Sequence, residues 1–462
     1  MSTISQIPAD NIEQLNKMLS GRIITSRSKL QHFTTSESHH EGPLPQGLVQ
    51  PASTAEVAEI ARACNQLGVP MIPYGAGTSL EGHTLAIRGG IIVDMTAMNE
   101  VIEVNTADQD CRCQPGVTRE KLNSYIRDTG LTFPIDPGAD ASIGGMVATS
   151  ASGTNAVRYG TMKENVLSLE AVLADGSIIR TGRRARKSSA GLDLTSLLIG
   201  SEGTLGIVTE ITLRLHGIPE CTRAAACSFD SAEAAVDAVA LIIQLAIPVA
   251  RLEFMDEAQV NACNRFSGKS EPEEPTLLIE FHGNQVETDH QIEQVKEIVR
   301  DFGGRNFRWS QSEAERQALW RYRYDALPAA KALRAGCHVL ITDVCVPIAS
   351  LSECVTRCRE KITEKGMLAP IVGHVGDGNF HALFVIDRKN EKEMADLEEV
   401  VEWMNDLALS FDGTVTGEHG IGIGKQGALI KELGAASVQA MAHIKNALDP
   451  KGIMNPGKIF GR

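Results

Sequence analysis

The sequence predicts an α+β protein built in more than one part, and three observations point there. At 462 residues the chain exceeds the roughly 250–300 residues that one hydrophobic core can serve. From Gly89 to Leu215, short β-rich runs alternate with glycines and are interrupted by one helical segment. After Pro219 the texture changes. Long amphipathic helices alternate with apolar strands, the pattern of a sheet with helices on one face.

In chain order, "PADNIEQLNKMLSG" reads as a short amphipathic helix closed by Gly21. "GLVQPASTAEVAEIARACNQLGVPMIPYGAGTS" gives strand, helix, strand, with Ser53 and Thr54 as caps and Glu56 in the first turn. "TREKLNSYIRDTG" is the interrupting helix, and "VLSLEAVLADGSIIRTG" is a hairpin around an Asp175-Gly176 turn. "GIVTEITLRLHGIP" is a strand that Pro219 stops. Then come a helix, "SAEAAVDAVALIIQLAI", a strand and helix, "VARLEFMDEAQVNACNRF", a strand, "EPTLLIEFHG", and a helix, "QVETDHQIEQVKEIVRDFG". "GKSEPEEP" is a surface loop. "ASVQAMAHIKNALDPKGIMNPGKIF" is a helix followed by a turn-rich tail.

A net charge of −14 argues against a nucleic-acid surface, which needs clustered Lys and Arg. The basic run from Arg180 to Lys187 reads as an exposed loop. The 10 cysteines lack both a pairing pattern and zinc-site spacing; Cys111/Cys113 and Cys354/Cys358 are close pairs without a second half. Reduced thiols in a reducing compartment are the expectation. No stretch approaches the roughly 18 apolar residues of a membrane span. The first residues carry no basic-then-apolar signal pattern. A cytoplasmic location is expected, and peripheral contact with a membrane is compatible with it.

Small residues dominate three stretches. In "PYGAGTSLEG", Gly75 and Gly77 free backbone N–H groups to face an anion, while Thr78 and Ser79 add hydroxyls. An ordinary turn would account for it equally well. It is neither a dinucleotide fingerprint nor a P-loop, because Leu80 stands where a third glycine would be needed. "FPIDPGADASIGGMVATSASGTNAVRYGTMKENV" and "LLIGSEGTLGIVTE" have no amphipathic period and too little apolar area to build a core. Together the three suggest a large, flat ligand wrapped by backbone.

"IVGHVGDGNFH" sets His374 and His381 on either side of a glycine turn. With a four-residue loop Gly376–Asn379, His374 faces His381 across the hairpin at a Cβ separation of about 4.5–5.5 Å. Two imidazoles so placed can share a metal ion, although two surface histidines beside a turn give the same pattern. "TGEHGIGIGK" offers Glu418 as a third ligand. Two histidines and a carboxylate leave open positions on zinc, manganese or iron.

The segments "GAGTSLEG", "DPGADASIGGMVATSASGTNAVRYGTMKENV", "RKSSAGLDLTSLLIGSEGTLGIVTE", "GHVGDGNFH", "TGEHGIGIGK" and "DPKGIMNPGKIF" occur in this order in FAD-linked 2-hydroxy-acid dehydrogenases. The chain therefore resembles, from about His32 to its end, the vanillyl-alcohol-oxidase-type flavoproteins. Its resemblance is to the cytochrome-linked D-lactate dehydrogenases, the glycolate oxidase FAD subunit and the D-2-hydroxyglutarate dehydrogenases. The resemblance implies an FAD-binding domain of two α+β subdomains and a cap domain with an antiparallel sheet and helices. The boundaries expected are an N-terminal helical segment 1–42, the FAD domain 43–218, a substrate domain with the metal site 219–440, and a segment 441–462 that returns to the FAD domain.

The resemblance also assigns roles. Gly75, Ala76, Gly77, Thr78 and Ser79 would hold the pyrophosphate. Pro137, Ser142, Gly145, Gly153 and Asn155 would line the flavin, Glu202, Gly206 and Ile207 would lie near the adenine, and Asn455 would return to the flavin. Relatives with covalent flavin carry histidine where Thr78 stands, so non-covalent FAD is expected. His374, His381 and Glu418 match the family's metal ligands, with zinc or manganese expected, and His419 matches its proton acceptor. "ALWRYRYDALP" offers Arg321 and Arg323 as a carboxylate fork; the family pattern selects Arg323.

The implied reaction removes a hydride from the substrate carbon to flavin N5 and a proton from its hydroxyl. The expected substrate is a D-2-hydroxy acid, D-lactate first, with D-2-hydroxyglutarate or glycolate as alternatives. Relatives acting on the dicarboxylate carry a lysine just before the aspartate that matches Asp343; here Thr342 stands there. The electron acceptor would be a quinone, a cytochrome or an electron-transfer protein, and a homodimer is compatible with the family. A rival of another class is the flavin-dependent alkyl transferase of ether-lipid synthesis, whose run of consecutive cap-domain histidines has no counterpart here. A flavin-binding subunit without catalysis would be expected to have lost these ligands or His419.

Overall fold

Period-2 alternation and period-3.6 amphipathicity divide the chain much as its glycines and prolines suggest. A computed structural model describes residues 7–461, and counts of elements refer to those residues. The first six residues of the expected segment 1–42 lie outside them. The chain divides into two units. One comprises the chain up to Ser152, Gly160–Ile218 and Glu418 onward; the other comprises Gly153–Tyr159 and Pro219–Gly417.

The first unit holds a three-stranded parallel sheet in the order Gly47–Val49, Ile91–Asp94, Met71–Tyr74. Its crossover helix Thr54–Leu67 starts where the Ser53 hydroxyl accepts the Glu56 N–H and stops at Gly68 in the left-handed region. Val57, Ala61 and Cys64 on that helix pack with Leu15 and Leu19 of the N-terminal segment and with Met71, Ile91 and Val93 of the sheet. A five-stranded antiparallel sheet follows, in the order Val101–Asn105, Asp110–Cys113, Ile207–Arg214, Val166–Val172, Ile178–Arg180. Its last two-strand turn places Gly176 at φ +81°, as a tight hairpin requires. The tail returns to the parallel sheet, where the Met71 N–H donates to Ile453 and the Asn455 N–H to Met71.

The second unit is an eight-stranded antiparallel sheet. Its order is Arg305–Trp309, Cys221–Ser228, Thr276–Gly283, Val249–Met255, Ile371–Gly373, Asn379–Ile386, His338–Ile341, with Val344–Cys345 also pairing to Asn379–Ile386. Strand alternation sorts its two faces. Leu252, Phe254, Ile279 and Phe281 enter a core with the helices Ala232–Gln244, Gln285–Asp301, Ile348–Glu364 and Glu391–Ser410. Helices on one face were expected, but helices also cover part of the other. Val260, Trp320, Tyr322 and Ala329, from Glu257–Ser267, Glu313–Tyr324 and Ala326–Ala332, pack there against Met255, Leu278 and Val372. Arg251 and Glu253, which alternate with Leu252 and Phe254, sit on that second face.

Two stretches fall in different units from those the sequence suggested. Residues 418–440, expected with the substrate domain, belong to the first unit, because carboxylates of that unit anchor the 418–425 loop. Residues 153–159, expected within 43–218, belong to the second. Asn155 accepts from Arg251 Nε at 2.9 Å, and the Tyr159 hydroxyl bonds His282 Nδ1 at 2.7 Å.

Candidate functional site

In the second unit, the helix-poor part of the sheet face gathers the predicted histidines. His374 follows the strand Ile371–Gly373, and His381 lies in Asn379–Ile386. The expected four-residue loop is replaced by a one-turn 3₁₀ helix, Val375–Asp377, and Asn379 already belongs to the strand. His381 therefore pairs with Val372 rather than with His374. Val372 and His374 share a face, so the rings still meet, with centroids 5.4 Å apart and planes at 81°.

Hydrogen bonds fix both tautomers. His374 Nδ1 lies 2.7 Å from Glu253 Oε1, and His381 Nδ1 lies 2.8 Å from the Thr342 carbonyl. A carboxylate and a carbonyl can only accept, so each Nδ1 carries a proton, and in the neutral imidazole each Nε2 then carries the lone pair. That is the donor set a divalent ion needs, with the supporting acceptors that orient metal-binding histidines.

Glu253 is fully buried and engaged on both oxygens, since Arg323 Nε donates to Oε2 at 2.9 Å and Arg323 Nη2 lies 2.7 Å from the same oxygen. Burial alone would raise its pKa; the interactions with His374 and Arg323, hydrogen bonds included, outweigh burial and lower it. Arg323 itself is buried, whereas Arg321 is exposed. A second buried carboxylate, Glu280, takes His282 Nε2 at 2.8 Å, Arg316 Nη1 at 2.9 Å and Arg251 Nε at 3.5 Å. Burial would raise this pKa too, but the His282 hydrogen bond and the neighbouring guanidinium groups hold it down at about 2.

Asp343 ties together the end of the second unit. Its carboxylate accepts from Asn379 Nδ2 at 2.9 Å and from the Thr416 hydroxyl at 2.8 Å, and its carbonyl accepts the Gly417 N–H at 3.3 Å. Glu418 is the next residue in the chain. Asn379, expected in the turn, stands instead at the start of the strand and has another role. Its side chain ties Asp343 and the Val344 carbonyl to the histidine strand.

In the first unit, Glu418 and His419 open a glycine loop, with His419 Nε2 3.7 Å from Glu418 Oε1. The loop is anchored by backbone. Ile421 and Gly422 N–H groups donate to the Glu202 carboxylate at 2.7 and 2.9 Å, and the Ile423 N–H donates to the Glu81 carbonyl. Lys425 Nζ lies 3.3 Å from Glu81 Oε1. Burial would raise the Glu81 pKa, but His40, Lys425, His419 and His83 together lower it. Gly422 has φ +51°, and a Cβ there would run into the Glu81 carbonyl.

The glycine stretch after Met71–Tyr74 lies against the segment around Ser142. The Ser142 hydroxyl accepts from the Ala76 N–H at 3.3 Å and from the Gly145 N–H at 3.4 Å. A Cβ on Gly75 would strike that hydroxyl. Gly77 has φ +72°, and Thr78 and Ser79 are half-buried. Pro137 is half-buried, and Gly206 and Ile207 are buried at the start of the strand Ile207–Arg214. Asn455 Nδ2 donates to the His83 and Glu202 carbonyls at 3.0 and 2.7 Å. Beside it, Lys458 Nζ is buried against the Leu85 carbonyl and Asn455 Oδ1. Burial pushes the Lys458 pKa down to about 7, against the pull of Glu202. The buried Ser79 and Thr84 hydroxyls have no protein partner. Polar groups of that kind call for a ligand or water, and together with the small-residue cradle they fit a phosphate-bearing cofactor. Gly153 and Asn155 belong to the second unit.

Sequence reasoning missed Glu253, Glu81 and Lys458, and gave Asp343 no role. A signal for Glu253 was present. In "VARLEFM" a charged pair two residues apart, Arg251 and Glu253, occupies one face of a strand whose other residues are apolar.

Two family models match the chain, and the boundary between them falls near the start of the second unit's main segment. The C-terminal domain of FAD linked oxidases matches residues 218–459, and an FAD binding domain matches residues 45–182. A protein of Danio rerio named as a probable mitochondrial D-lactate dehydrogenase is 49% identical over 443 residues, covering 95% of this chain and 89% of its own. The mitochondrial D-lactate dehydrogenase [cytochrome] of Arabidopsis thaliana is 43% identical over 457 residues, covering 98% and 81%. Among solved structures, an alkyldihydroxyacetonephosphate synthase superposes with a TM-score of 0.76 at 19% identity, covering 99% of this chain and 87% of that one. That likeness concerns the fold. Among the described residues, no helix is long and apolar enough to cross a membrane.

Proposed function

The chain belongs to the FAD-linked oxidase family, and from that premise we propose that it oxidises a D-2-hydroxy acid, D-lactate first, to the 2-oxo acid. The relatives of 43–49% identity support that substrate class. The observation that carries the reading is one sheet face on which two histidines of fixed tautomer stand beside a buried arginine.

FAD supplies a two-electron acceptor when bound. Gly75, Ala76, Gly77, Thr78 and Ser79 would hold its pyrophosphate, and Ser142, Gly145 and Asn455 would support the flavin. Thr78 offers no nitrogen for a covalent link, so the flavin is held non-covalently. A divalent ion, zinc or manganese, would be held by His374, His381 and Glu418, and it supplies Lewis acidity toward the substrate oxygens when bound. Arg323 engages the substrate carboxylate, sharing its charge with Glu253. His419 takes the hydroxyl proton; an imidazole has the right basicity near neutral pH. A quinone, a cytochrome or an electron-transfer protein would be the final electron acceptor. None of the cysteines among the described residues is in a disulfide, which suits a reducing compartment, and we place the enzyme in the cytoplasm.

Anaerobic flavin reduction against D-lactate, L-lactate, glycolate, D-2-hydroxybutyrate and D-2-hydroxyglutarate tests this. The expected result is the highest specificity constant for D-lactate and bleaching by D acids only. Equal bleaching by L-lactate, or a preference for D-2-hydroxyglutarate, would reject the assigned substrate. Flavin retained on the pellet after acid precipitation would reject non-covalent binding.

A further inference from the structure

We infer that Glu253 is a positioning residue whose two carboxylate oxygens hold a metal-binding histidine and the substrate-binding arginine in one fixed arrangement. The inference rests on the reading of His374 as a metal ligand and Arg323 as the carboxylate fork. Three observations carry it. Glu253 is fully buried in the middle of a central strand, where a carboxylate is costly to place without a purpose. Its oxygens are divided cleanly: Oε1 takes the His374 Nδ1 proton, and Oε2 takes Nε and Nη2 of Arg323. Its neighbours leave no simpler partner scheme, because Leu252 and Phe254 point to the other face and Leu278, its cross-strand partner, is apolar.

This arrangement has a chemical consequence. The bond on Oε1 keeps the His374 lone pair on Nε2 and turns the ring, which raises the affinity of the site for a cation. The bond on Oε2 occupies one edge of the Arg323 guanidinium, so the fork can offer only its remaining edge to a carboxylate. One side chain therefore sets the spacing between the ion and the substrate's acid group. A small 2-hydroxy acid needs those two points of attachment at a fixed separation.

A purely structural role is the competing view, in which Glu253 only neutralises a buried guanidinium. Two double variants separate the views, because each removes the ion pair as a whole and leaves no orphaned charge. Glu253→Gln with Arg323→Met keeps an acceptor for His374. Glu253→Leu with Arg323→Met does not. Each holoenzyme is stripped of metal with a chelator and titrated with Zn²⁺, and the His374 ring is followed by its ¹⁵N chemical shifts. The expected result is a Zn²⁺ affinity within a few-fold of wild type for the Gln double variant. The Leu double variant should be weaker by roughly 10–100-fold and lose the single Nδ1–H tautomer. Equal, near-wild-type affinities in both double variants would overturn the positioning role. His374→Ala is the control: if it keeps wild-type Zn²⁺ affinity, the ligand assignment has failed and the inference falls with it. If only His374→Ala loses the metal, the assignment stands and the role of Glu253 does not.

Discussion

The two units of this protein hold their important groups by opposite means. In the first, the carboxylate that anchors the 418–425 loop is bound by backbone, although Lys425 also pairs with Glu81. Glu202 accepts the amides of Ile421 and Gly422, and glycines clear the space that makes such approaches feasible. In the second, carboxylates are bound by side chains: Glu253 by His374 and Arg323, Glu280 by His282, Arg251 and Arg316. The first unit should therefore fail when a Cβ is added, and the second when a charge or an acceptor is removed.

The largest effect is expected at the loop that the first unit holds by its amides. His419→Gln should retain flavin and metal yet reduce flavin more slowly by roughly 10²–10⁴-fold, the usual range for a lost general base. Gly422→Ala leaves every ionisable group in place, but its Cβ meets the Glu81 carbonyl at a φ that side chains rarely adopt. It should slow flavin reduction at least as severely. A near-wild-type Gly422→Ala would show that the loop does not depend on its backbone anchors.

The metal reading breaks at the second unit's histidines. His374→Ala or His381→Ala should lose bound metal and turnover, while the flavin absorbance stays. Metal analysis on purified protein decides this, and chelation of the wild type should inactivate it reversibly. Next in size is Glu253→Gln with Arg323→Met, which removes the fork without orphaning a buried charge. Loss of a charged hydrogen bond to the substrate carboxylate is worth about 1.5–3 kcal/mol. The specificity constant should fall by roughly 10–100-fold, mostly through KM. A change in kcat alone would mean that Arg323 acts on the chemistry rather than on binding.

The same contrast explains what the sequence disclosed. Most of the fold was legible because its signals are local: the cap at Ser53, the Asp175-Gly176 turn and the alternation along "VARLEFM" act over a few residues. The closeness of His374 and His381 was legible too, but for a partly mistaken reason. Whether a four-residue loop or a 3₁₀ turn forms depends on Asn379, whose amide is drawn to Asp343, 36 residues away. Glu253 was hidden for a similar cause. Its partners lie 70 and 121 residues distant, and no spacing rule spans such separations. The cradle around Gly75 was legible as composition, whereas its closing contact with Ser142 was not. Thr342 was read only for its side chain, yet its carbonyl sets the His381 tautomer.

The smallest effects should appear as pH-dependent stability, and their signs differ in origin between the units. Glu280 has a folded pKa of about 2, below the roughly 4.3 of an unfolded glutamate. Between those values the unfolded chain binds the extra proton, so the stabilisation from Glu280 is full above about pH 4.3 and disappears as pH falls toward 2. Lys458 is also depressed, to about 7 against roughly 10.4 unfolded. Between pH 7 and 10.4 the folded amine is neutral while the unfolded one is protonated, so its contribution to stability rises with pH. Melting midpoints of Glu280→Gln and Lys458→Met measured against wild type should show both windows. The wild-type advantage over Glu280→Gln should shrink from pH 5 to pH 2, and the wild type should gain on Lys458→Met from pH 7 to pH 10. A Lys458→Met difference that is flat with pH would mean that the amine stays protonated in the fold. In that case the Leu85 carbonyl and Asn455 would hold a cation in the first unit as firmly as Glu253 holds one in the second.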